Sequence, residues 1–70
     1  MNEMDLTKYA GEALRRLIKE NYSSQEEFAF VFGASSRNVN RWINQGLSDL
    51  KTIQELAMHF DVPAKYFISD

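Results

Sequence analysis

Apolar residues recur along the chain every three or four positions, and no stretch alternates with a period of two. That spacing marks helices that each bury one stripe, so the chain reads as all-α. The first helix is expected from Leu6 to about Glu20, with Tyr9, Ala10, Ala13, Leu14 and Leu17 as its stripe. Ser24 suits the N-cap of a second helix, and Glu27 three residues later completes a capping box. Gly33 is placed to end that helix. Ser35 then caps a third, which runs to about Asn44 or Gln45 before Gly46. A fourth starts near Ser48 or Asp49 and carries Leu50, Ile53, Leu56, Ala57 and Phe60 inward until Asp61-Val62-Pro63 breaks it. A short fifth turn, Ala64 to Ile68, offers Tyr66 and either Phe67 or Ile68 as a lid.

The second helix is unusually apolar. Residues 28 to 32 read Phe-Ala-Phe-Val-Phe, and a surface helix buries only one face. At about 100° per residue, Phe28, Ala29 and Phe32 cluster. They are expected to pack against Leu17, Val39 and Ile53. Phe30 points roughly opposite Phe28, with Val31 on the flank, so both are expected at the surface. Either they are incidentally exposed or covered by the N-terminal segment, or they form a contact for another protein.

The second and third helices are joined by only a couple of residues around Gly33-Ala34. A connection that tight forces a steep crossing, the helix-turn-helix arrangement, whose second helix enters the major groove in DNA-binding versions. On the third helix, Val39, Trp42 and Ile43 fall on one side. Arg37, Arg41 and Asn44 fall on the other, with Asn40 beside them. Guanidinium groups bond guanine edges bidentately, and carboxamides bond adenine edges. Gln25 and Ser35, each at a helix start, stand where backbone amides point outward and phosphate can be gripped. A polar row on one helix is also what any solvated face looks like, so the row does not by itself identify a site.

The string as a whole says more. Residues 24 to 46, SQEEFAFVFGASSRNVNRWINQG, resemble the Cro/CI-type (XRE-family) helix-turn-helix of phage and bacterial regulators. The matching features are Gln25 after a hydroxyl N-cap, Glu27, Phe28-Ala29, Gly33, Ser35, Val39, Trp42 and Gly46. Residues 50 to 67, LKTIQELAMHFDVPAKYF, are similar to that family's last two helices, so the likeness runs from about Leu14 to Ile68. It implies a compact bundle of about five helices, a lambda repressor-like domain, that binds operator DNA, usually as a dimer. Carried over by position, it implies DNA contacts at Gln25, Ser35, Ser36, Arg37, Asn40 and Arg41. The chain departs from the family pattern at Ile43-Asn44-Gln45-Gly46, in the acidic Leu47–Lys51 loop, and at the apolar Phe30 and Val31.

Composition limits the remaining choices. Seventy residues make one domain, residues 1–70, and leave a modest core. Without cysteine there is no disulfide or thiolate metal site. One histidine, His59, lies off the apolar stripe of the fourth helix four residues after Glu55, and is expected to be exposed in an i, i+4 contact. No metal site, cofactor or enzymatic activity is expected. No apolar run approaches a membrane span, and Met1–Tyr9 does not read as a signal peptide, so a cytoplasmic protein is expected. Arg15, Arg16 and Lys19 make the first helix basic beside Glu12 and Glu20; they read as a solvated face, with phosphate contact the lesser alternative.

Two functions follow. The first is a small operator binder, acting on double-stranded DNA and pairing as a weak homodimer. The second is an antirepressor that modulates a phage repressor protein through Phe30 and Val31. The net charge of −2 favours the second, because polyanion binders usually carry a basic excess. The Arg37, Arg41 and Asn44 row favours the first.

Overall fold

The chain folds as α1 (Leu6–Asn21), α2 (Gln25–Phe32), α3 (Ser36–Gln45), α4 (Leu50–Phe60) and a 3-10 turn, Ala64–Phe67. The structure, a computed structural model, describes residues 6–68, with side chains from residue 8 onward. It is all-helical, and no strand occurs among the described residues. The expected fifth helix is a single four-residue 3-10 turn.

The helix ends follow from side chains within three positions. Ser24 Oγ accepts the Glu27 backbone N–H at 3.0 Å, and Ser35 Oγ accepts that of Asn38 at 3.1 Å. Asp49 starts α4, accepting the Lys51 N–H at 3.2 Å and the Thr52 hydroxyl at 2.8 Å. The capping box is shifted by one residue: Glu27 Oε1 accepts from Ser23, not Ser24, through both N–H (2.8 Å) and Oγ (2.9 Å). Those two bonds hold the Glu27 carboxyl below its usual range, because they favour its charged form. Gly33 ends α2 in the left-handed region, φ 92°, where a Cβ would be strained. Asp61 takes the same region, φ 60°, at the end of α4, and Pro63 follows it.

The core is one cluster drawn from every element. Ala10, Ala13, Leu14, Leu17 and Ile18 meet Phe28, Ala29, Val39, Ile53, Leu56 and Ala57. Two further members come from outside the α-helices: Leu47, in the loop before α4, and Phe67, in the 3-10 turn. Phe67 is the buried lid residue, with Tyr66 half-buried and Ile68 exposed. Leu50, expected inside, is 59% exposed. It is the first residue of α4, and its stripe becomes buried only from Ile53 onward.

His59 corrects a second expectation. It is half-buried and shares a 2.7 Å hydrogen bond with the Tyr22 hydroxyl, joining the end of α1 to α4. Its ring lies edge-on to Phe28 at 5.7 Å and Phe32 at 5.2 Å. The imidazole thus serves as one wall of an aromatic box with a polar handle turned to Tyr22, and does not reach out to Glu55.

Candidate nucleic-acid interface

α3 is held on one side and bare on the other. On the held side Val39 is fully buried, and Trp42 and Ile43 are half-buried. Trp42 meets Phe32 edge-on at 6.2 Å. Closest of all is the approach of α1: a Cβ built on Gly11 would stand 2.5 Å from the Trp42 carbonyl oxygen and 2.9 Å from that of Ile43. The two backbones therefore touch at this glycine, which sequence reading did not single out because it neither starts nor ends a helix.

On the bare side Arg37, Asn40, Arg41, Asn44 and Gln45 line one shallow depression. All five are exposed. The Asn44 carboxamide donates to Asn40 Oδ1, which keeps the two side chains aligned along the helix. α3 carries no acidic residue, and among the described residues neither Arg37 nor Arg41 has a hydrogen bond or ion pair. Their guanidinium donors are open to an incoming acceptor.

The remaining expected positions are placed unevenly. Gln25, the first residue of α2, lines a second cleft with Ile43 and Asn44, so it adjoins the depression through Asn44. Ser35 and Ser36 stand at the start of α3 and are exposed, but they do not line the depression. The Ser35 hydroxyl oxygen is engaged as the N-cap. Phe30 is 87% and Val31 54% exposed, as the wheel of α2 requires. The segment that was expected to be able to cover them, residues 1 to 6, falls almost wholly outside the described residues.

No family model, curated protein or solved structure matches the chain.

An exposed row of two arginines and two asparagines on a braced helix can do little as an acid, base or nucleophile. Among the described residues no cluster of histidine and carboxylate is arranged to hold a metal ion, and no helix is long and apolar enough to cross a membrane. The row offers donors and acceptors on a helix held from behind, an arrangement suited to reading the edges of another molecule.

Proposed function

We propose that the chain is a small transcriptional regulator that binds operator DNA in the cytoplasm, as part of a phage or mobile-element switch. In this reading α2, the turn at Gly33–Ser35 and α3 form a helix-turn-helix of Cro/CI type within a lambda repressor-like bundle. The observation that carries it is the shared depression of Arg37, Asn40, Arg41 and Asn44, unpaired with any acid, on a helix whose opposite face is locked. A helix of this size fits the major groove, where Arg pairs with guanine O6 and N7 and Asn with adenine N6 and N7. Arg37 and Arg41 are one turn apart, about 6 Å along the axis. Base pairs rise about 3.4 Å each, so the two arginines would sample positions roughly two steps apart. Gln25 and the N-termini at Ser35 and Ser36 would face the backbone. One copy reads one half-site, and a weak homodimer would assemble on the full operator.

The test is a gel shift with duplex DNA flanking the chain's own gene. Arg37→Ala or Arg41→Ala should cost ~1–3 kcal/mol at the preferred site and relax the base choice there. Wild-type affinity should fall steeply with salt as released counterions cease to favour the complex. Equal binding by wild type and both variants at low salt would remove these residues from the role.

A second reading is favoured by the bare aromatic ring at Phe30 with Val31 beside it: an antirepressor that captures a phage repressor protein. A phenylalanine that fills a partner's pocket concentrates binding energy. Phe30→Ser should leave the helical fold intact and weaken co-purification with the repressor. Undiminished recovery of that repressor would exclude the surface.

A further inference from the structure

The first helix presents its basic residues on two different sides, and only the structure shows which side meets the interface. Arg15 and Lys19 line a cleft with Ser23, Ser24 and Gln25 at the start of α2. Lys8 and Arg15 line the adjoining cleft with Gln25 and Asn44. Arg15 and Gln25 belong to both clefts, so a continuous surface leads from α1 across the start of α2 to the end of α3. Arg16, the next residue in the chain, lines neither cleft; the cleft it shares with Glu12, Arg15 and Lys19 is lined by α1 alone and does not reach Gln25. Arg16 lies about 100° further round the helix.

Resting on the regulator reading above, we propose that Lys8, Arg15 and Lys19 form a second edge of the DNA interface that grips backbone phosphates beside Gln25. Positions 8, 15 and 19 fall on one face of α1, because seven residues make nearly two turns and four make just over one. From Lys8 to Lys19 the row runs about 16 Å along the helix, close to five base-pair rises at about 3.4 Å each. All three side chains are exposed, and none has a hydrogen bond or ion pair among the described residues. Glu12 lines the Lys8 cleft and a further one with Arg15, Arg16 and Lys19, and is the acid that trims the field along the row; the cleft that Lys19 shares with Gln25 has no acid in its lining.

This edge also answers the charge objection. Of the chain's eight lysines and arginines, Lys8, Arg15 and Lys19 join Arg37 and Arg41 on one continuous surface, leaving three elsewhere. A chain of net charge −2 can therefore turn a positive face to a polyanion, since the local field and not the sum governs approach. Groups of this kind position a protein on the duplex without reading sequence.

The experiment measures fluorescence anisotropy of the full chain on a labelled duplex of arbitrary sequence, at salt concentrations from roughly 50 to 200 mM. Each phosphate contact contributes about 0.9 to the log–log salt slope. Arg15→Ala and Lys19→Ala should each lower the slope by close to one contact. The wild-type advantage should then shrink between three- and fourfold, roughly, over that salt range. The decisive pair is Arg15→Glu against Arg16→Glu, which change net charge equally; Arg15→Glu should weaken binding at least about tenfold more. Matching losses in the two variants would mean that only the overall charge matters, and an unchanged slope in both alanine variants would remove α1 from the contact. Either result overturns the proposal while leaving the regulator reading in place. Absence of wild-type binding to any duplex at the lowest salt would instead overturn the regulator reading, and this edge with it.

Discussion

Phe28→Ala should cost about 3–5 kcal/mol of folding stability, the usual toll for emptying a buried phenylalanine site. The side chain is completely buried. Four rings surround it: Tyr22 at 5.4 Å, Phe32 at 5.3 Å, Phe60 at 5.4 Å and His59 at 5.7 Å. Each is tied to another ring or to the core, so the cavity cannot simply collapse. A single core in a chain of this length rarely supplies more than about 3–5 kcal/mol. The variant should therefore be largely unfolded under conditions in which the wild type is folded. A urea titration followed by far-UV circular dichroism checks this. A midpoint shift worth less than about 1 kcal/mol would mean the rings close over the gap and the aromatic box is not the keystone of the core.

Gly11→Ala is the second large effect, and here two physical terms oppose each other. Within a helix, alanine is better than glycine by about 1 kcal/mol, so propensity predicts stabilisation. The structure predicts the reverse. The new methyl would meet the Trp42 carbonyl oxygen at 2.5 Å and the Ile43 carbonyl oxygen at 2.9 Å. Both are backbone atoms of α3, which cannot rotate away as a side-chain tip would. Separating α1 from α3 loosens Ala10, Ala13 and Leu14 against Val39, and overpacking of this kind costs about 1–3 kcal/mol. The clash should win, giving a net loss in chemical denaturation. On the proposed operator-binding function, the same displacement should also weaken DNA binding in the gel shift, because α3 carries the arginine row. A variant that is more stable than wild type by the propensity term would show that the two helices are not in backbone contact.

These two residues mark where sequence reading succeeds and where it stops. Phe28 was legible as a core residue because its position on the α2 wheel, relative to Ala29 and Phe32, decides the matter within five residues of chain. The rings that surround it were less legible. Tyr22 and His59 are 37 positions apart, and no local rule links them. The α4 pattern by itself turns His59 outward, because its own helix gives it a polar flank; only the arrival of Tyr22, just after α1, covers it.

The candidate interface divides the same way. Arg37, Asn40, Arg41 and Asn44 share a face because helical geometry leaves them no alternative, and the capping serines that set the start and phase of each helix act over three residues. The sequence by itself therefore determined the all-α class, the helix boundaries to within a residue or so, the outward turn of Phe30, and the row on α3. Tertiary structure alone decided which glycine lets two helices touch, that Leu47 and Phe67 close the core while Leu50 does not, and that Arg15 rather than Arg16 adjoins Gln25. The physical reason is one of range. Caps and periodicity act between neighbours along the chain. Burial and adjacency between helices depend on how whole elements pack, and that is settled by contacts that no short window of sequence contains.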